Sequence, residues 1–133
     1  MDITITDIEK YLEEVKAAIN AGCYRIEMND NRKDNQDLFL DYIISEEKRK
    51  QILLSLEATD FSEIRHNTHR GYEHELLYVF GKNVNLLRRF LPGEEQVSLY
   101  IKFNKLESRY VKKSDIISVQ KIVIYPFGSF GKL

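Results

Sequence analysis

The sequence predicts an α+β domain in which N-terminal helices pack on one face of a small, mostly antiparallel β-sheet. Three observations lead there. Apolar residues recur at helical spacing in the first half, as Ile8, Leu12, Val15 and Ile19 and again as Ile52, Leu53 and Leu56. Beyond Leu76 the period becomes two, most clearly where Val97, Leu99, Ile101 and Phe103 alternate with Ser98, Tyr100, Lys102 and Asn104. The 133 residues contain no internal repeat and no linker, so a single domain, 1–133, is expected, with about 126–133 as a flexible tail.

Thr6-Asp7-Ile8-Glu9 has the spacing of a capping box and predicts the first helix start. Gly22 is placed to end that helix in the left-handed conformation. Tyr24, Ile26 and Met28 then alternate with Arg25 and Glu27, the pattern of a short strand. The polar stretch Asn29 to Asp37 reads as a loop, and the apolar residues from Leu38 to Ile44 as the anchor of a short helix or turn. Ser45 is a helix cap, with Glu46 and Glu47 in the first turn, where the helix dipole favours acids. Asp60-Phe61-Ser62-Glu63 repeats the cap-plus-glutamate spacing and predicts another short helix or ordered turn.

Leu76 to Phe80 is an apolar, aromatic strand closed by Gly81, and Pro92-Gly93 marks a turn before the strand 97–103. Lys105 to Asp115 reads as a basic loop. Residues 116–125 form a last strand, apolar on both faces and therefore interior to the sheet.

Hydrophobic residues at 43% and charged residues at 31%, with six glycines and two prolines, describe a water-soluble globule and exclude a low-complexity chain. No apolar run approaches the ~18 residues of a membrane span, and no basic-then-apolar leader opens the sequence. A cytoplasmic protein without membrane partners is the expectation. The single cysteine, Cys23, excludes an internal disulfide and a multi-cysteine zinc module, and no histidine lies near it to activate it as a nucleophile. Residues 1–80 carry 10 Lys+Arg against 17 Asp+Glu, whereas 81–133 carry 10 against 4, which points the C-terminal half towards an anionic partner.

Three constellations could carry chemistry. Tyr100 and Lys102 are two apart on a strand and so share a face, with Lys82 expected nearby if strands 76–80 and 97–103 pair. Lysine neutralises phosphate and tyrosine stacks on a base or bonds a scissile phosphate, so this face suits RNA. It could also cleave RNA without a metal, by holding the 2′-hydroxyl in line and stabilising the charge that develops. Solvated polar residues on an outer sheet face are the plain alternative. His66, His69 and His74 lie within nine residues and could contact phosphate, transfer protons, hold a metal or simply decorate a loop; no acidic partner sits at a useful offset, so no metal site is assigned. Arg32 and Lys33 lie in the Asn/Asp-rich stretch, where they are either substrate contacts or part of a mixed-charge surface loop.

At these segments the chain resembles the MqsR-like family of bacterial mRNA interferase toxins, which share a RelE-like α+β fold. Asn29 to Asn35 looks like the polar, basic loop of Gram-positive members. Arg49 to Leu56 followed by Asp60-Phe61-Ser62 is similar to the family's I-x-x-L-x-x-x-D-[FY] signature. Tyr78-Val79-Phe80-Gly81-Lys82 resembles its strand end, and Ser98 to Phe103 its V-Y-[IL]-K-[IF] strand. Ile116-Ile117-Ser118-Val119 resembles its final strand. The motifs occur in the family's order. The chain departs at Glu63, where the best-known member has lysine; at Glu75, which takes the place of a glutamine; and at Gln120, where members carry lysine or histidine.

The resemblance implies the toxin of a type II toxin–antitoxin pair, a metal-independent endoribonuclease that cuts mRNA, needs no cofactor and is held inactive by a cognate antitoxin protein. It implies catalytic roles for Tyr100, Lys102 and Lys82, with Arg32, Lys33, His66, His69 and Lys121 on the substrate. The alternative is a non-catalytic regulatory or phage-encoded binding protein that retains the toxin fold.

Overall fold

The computed structural model describes residues 3–26, 33–66, 70–71, 75–112 and 115–126; at 33–36, 106–112, 115–119 and 125–126 it describes the backbone alone. In chain order these residues form helix α1 (Ile5–Asn20), β1 (Tyr24–Ile26), α2 (Lys33–Asp41), β2 (Tyr42–Ile43) and α3 (Glu46–Leu54). A 3-10 turn at Ala58–Asp60 leads into β3 (Phe61–His66), β4 (Leu76–Arg88), β5 (Glu94–Lys112) and β6 (Asp115–Pro126). The strands make one mixed sheet in the order β1-β6-β5-β4-β2, with β3 also on the outer edge of β4. Only β1 and β6 pair in parallel; the other pairings are antiparallel. The class is α+β, as expected.

α1 starts two residues before the expected cap. Thr4 Oγ1 accepts the Asp7 N–H at 3.2 Å, and Asp7 Oδ2 accepts the Thr4 N–H at 3.0 Å. That reciprocal pair has the same spacing as Thr6 and Glu9, and it closes with a shorter acid. The backbone N–H of Thr4 also holds the Asp7 carboxyl below the usual carboxylate range. At the other end Gly22 has φ +75, the Cys23 N–H donates to Ala18 O at 2.8 Å and the Gly22 N–H to Ile19 O at 3.1 Å, a complete left-handed cap. The expected stripe of Ile8, Leu12, Val15 and Ile19 is buried.

Four local expectations give way. The polar stretch is helical from Lys33, because Leu38, 3% exposed, anchors the segment in the core and outweighs the weak helix propensity of Asp and Asn. The Asp60 signal opens β3, not a helix: Asp60 Oδ2 turns back to accept the Glu57 N–H at 2.9 Å and the Lys82 ammonium at 3.2 Å. Gly81 does not close β4; Val84 and the buried Leu86 carry the alternation on to Arg88. The basic loop is a ladder, with β5 and β6 paired as far as Lys112 opposite Asp115 and a bulge between Lys105 and Glu107 absorbing the register change. Leu106, Tyr110 and Val111 are strand formers in that span, and their period was masked by the charges between them. Residues 113 and 114, and the expected tail from 127 onward, lie outside the described residues.

The core lies between the helices and one face of the sheet. Leu99, Ile101 and Phe103 of β5, Phe80 and Leu86 of β4, and Ile122 and Ile124 of β6 meet Leu12, Val15 and Ile19 of α1 and Leu53 of α3. Phe80 is central: its ring packs edge-on against Phe103 at 5.6 Å and against Phe61 at 5.7 Å.

Candidate nucleic-acid interface

Strand register assigns every β residue to one of two faces. Phe80 pairs with Ile101 on the helix side, so Val79 with Lys102 and Gly81 with Tyr100 project to the opposite side. On that side the register assembles two rows across the sheet. The first runs Arg25 (β1), Lys121 (β6), Asn104 (β5), Leu77 (β4) and Arg65 (β3). The second, two residues further along, runs Val123, Lys102, Val79 and Glu63. Strands lie about 4.8 Å apart and rows about 7 Å, so Arg25, Lys121 and Lys102 share a patch roughly 10 Å across. These rows hold four cations and one carboxylate, Glu63, whose Oε1 lies 3.3 Å from Arg65 Nε.

The floor between the charges is dry. Val79 is fully buried and Leu77 is 8% exposed, although both lie on the face away from the helices. Charge interactions beside such a floor are screened less than on an open surface. Tyr100 forms the next row. A Cβ built at Gly81 would touch Tyr100 Cε1 at 3.6 Å, so the ring lies flat against the space that glycine leaves.

The reverse side of the sheet fixes this arrangement. Gln120, fully buried, accepts the Tyr11 hydroxyl through Oε1 at 2.7 Å, and its backbone N–H donates to Cys23 O at 3.1 Å. The first bond ties β6 to α1 and the second ties it to the start of β1. Lys121, next along β6, therefore projects to the opposite side, beside Arg25. Tyr11 stacks on Tyr78 with centroids 3.9 Å apart, and Lys105 Nζ meets Glu14 Oε1 at 2.6 Å at the same seam. Burial pushes the hydroxyl pKa of Tyr11 far above the ordinary tyrosine range, and burial also raises that of Tyr78.

Of the residues expected from sequence, Tyr100, Lys102 and Lys121 come together on this face. Lys82 does not. It pairs with Leu99, one position out of phase with Gly81, and so projects towards the helices. There its ammonium donates to Ser55 O and to Asp60 Oδ2, both at 3.2 Å, and fastens the end of α3 to the turn before β3. His66 alternates to the side opposite Arg65 and pairs with Leu76. Arg32, His69 and His74 lie outside the described residues, and of Lys33, which opens α2, only the backbone is described. Among the described residues no group of three His, Cys, Asp or Glu side chains could hold a metal ion. Sequence reading left Arg25 and Glu63 out of the site and offered Arg65 only as a substitute for a missing basic group. Arg25 is signalled only by its outward phase in β1, because its neighbour Lys121 lies 96 residues away and is reached through parallel pairing.

No known family, no curated protein and no solved structure matches this chain. The described residues include no helix long and apolar enough to cross a membrane.

Proposed function

We propose that this protein is an endoribonuclease toxin of the MqsR-like, RelE-fold group, acting on mRNA without a metal and restrained by a cognate antitoxin. The observation that carries the reading is the row of Arg25 and Lys121 beside Lys102, one step along the strand from Tyr100. Cations at that spacing bind a phosphodiester backbone, and an adjacent tyrosine accepts a base or reaches the phosphate.

The chemistry follows from the groups on the face. Lys102, Lys121 and Arg25 hold the scissile phosphate and stabilise the negative charge that builds on its oxygens. The RNA 2′-hydroxyl attacks the phosphorus and gives its proton to the Glu63 carboxylate. The bond to the 5′-oxygen breaks as Tyr100 donates its hydroxyl proton to that oxygen, and Lys102, two residues along the same strand face, stabilises the phenolate left behind. The products are a 2′,3′-cyclic phosphate and a 5′-hydroxyl end.

Induced expression in a bacterial host with mapping of RNA 5′ ends tests the reading. The expected result is growth arrest with new 5′-hydroxyl ends at a recurring short sequence, both abolished by Lys102→Ala and unaffected by Lys82→Ala. Normal growth and an unchanged RNA profile would reject the nuclease. Two observations favour a second reading, a binding protein without catalysis: Lys82 is engaged in the fold, and Glu63 stands where the best-known member of the family has lysine. That protein would bind RNA through the same face and cut nothing.

A further inference from the structure

Six large apolar side chains among the described residues stand well out in solvent, and five of them gather at one corner. Ile43 of β2 and Leu87 of β4 are cross-strand partners, 42% and 45% exposed. Phe90 and Leu91, 74% and 61% exposed, follow Leu87 around the β4–β5 hairpin. Leu40, 57% exposed, is held at the same corner by Arg89, whose guanidinium donates to the carbonyls of Phe39, Leu40 and Tyr42.

The corner is rigid. The Arg88 N–H donates to Gly93 O at 3.1 Å and its Nη2 to Pro92 O at 2.7 Å, which fixes the turn that displays Phe90 and Leu91. A fixed apolar display differs from a floppy loop in that little side-chain and backbone entropy is lost when it is covered. Isolated exposed leucines need no explanation, but a gathered set of this kind marks an interaction surface.

We infer that this corner is a two-fold interface between two copies of the chain. Two features favour a second copy as the occupant. The charges around the patch are Asp41, Glu94 and Glu95 against Arg88 and Arg89, both signs in near balance and both arginines already donating within their own chain, so the rim selects no strongly charged partner and the apolar patch can meet its own copy. A surface meant for nucleic acid or an anionic membrane would carry a cationic surplus instead. The size also fits: the five side chains expose on the order of 500 Å² of apolar surface, and with the polar rim this approaches the roughly 800 Å² that each partner contributes to a standard interface. The corner is six positions along β5 from Tyr100, about 20 Å, so a dimer joined there leaves both cationic faces open.

Sedimentation equilibrium on the full chain across the micromolar range tests this. The wild type should move from monomer to twice the monomer mass as concentration rises, with no larger species, because a two-fold contact closes. Phe90→Ser should weaken association about thirtyfold, as truncation of a central aromatic anchor does. Leu87→Lys should prevent it, and both variants should keep the wild-type far-UV circular dichroism. Amide exchange in 86–94 should slow with concentration in the wild type only. A wild type that stays monomeric throughout, forms open-ended oligomers, or dimerises equally in Phe90→Ser would overturn the inference. Monomeric protein that binds neutral lipid vesicles through Phe90 would overturn it in favour of a membrane contact.

Discussion

Two lysines that look alike in sequence do different work because they sit on opposite faces of one sheet. Lys102 projects beside Lys121 and Arg25, whereas Lys82 bridges Ser55 and Asp60 under the helices. Lys102→Ala should therefore weaken RNA binding while the fold persists, measured by fluorescence anisotropy and circular dichroism on the same samples. Lys82→Ala should do the reverse, costing about 1–2 kcal/mol of stability for a partly buried ion pair with a second acceptor, with RNA affinity intact. Gly81→Val should push the Tyr100 ring off its seat, since the first added carbon already reaches contact at 3.6 Å. RNA affinity or cleavage should then fall severalfold while the ladder, read by circular dichroism, persists. Tyr100 and Lys102 could be placed on one face from sequence because a period of two on a single strand fixes their side without knowledge of the rest. Lys82 could not, because its face depends on a pairing register that slips every side chain over when moved by one residue.

At the level of elements, local chemistry was read well where it is local. Ser45 caps α3 through Oγ, accepting the Lys48 N–H at 3.1 Å, as its position implied. Ser45→Ala should lower stability by about 1 kcal/mol in denaturant unfolding. Gly22 and Gly93 likewise take the positive φ their turns require. Elements made by distant partners were harder. The outer half of β5 looks like a charged loop until β6 lies beside it, and β3 looks like a helix start until Asp60 is seen to bond backwards. The seam between α1 and the sheet gives a pH prediction. Tyr11 and Tyr78 ionise less readily in the folded chain than in the unfolded one. The folded state therefore keeps protons that the unfolded state releases, and stability should fall as pH rises above about 10, the ordinary tyrosine value. Tyr11→Phe should flatten that fall in pH-dependent melting. It should also destabilise the protein near neutrality by about 1 kcal/mol, because the buried hydrogen bond from Tyr11 to Gln120 is lost.

For the whole molecule, the formal charge of -1 hides a net of -7 over residues 1–80 and +6 over 81–133, and the cations of the sheet face are drawn from both halves. RNA binding through Arg25, Lys121, Lys102 and Arg65 should show a log–log salt slope of about -2 to -3, the signature of three or four neutralised phosphates. A slope near zero would remove the electrostatic role of that face. The row containing Arg25 also has a consequence in time. β1 finds its place only against Gln120 to Ile122, so Arg25 and Lys121 meet only when almost the entire chain is available. A nascent polypeptide that has emerged only as far as β5 has its helices and four of the six strands able to pair, but no assembled cationic row. On the proposed nuclease reading, synthesis itself thus keeps the growing chain inert beside the very messenger it is being read from, and competence arrives with β6.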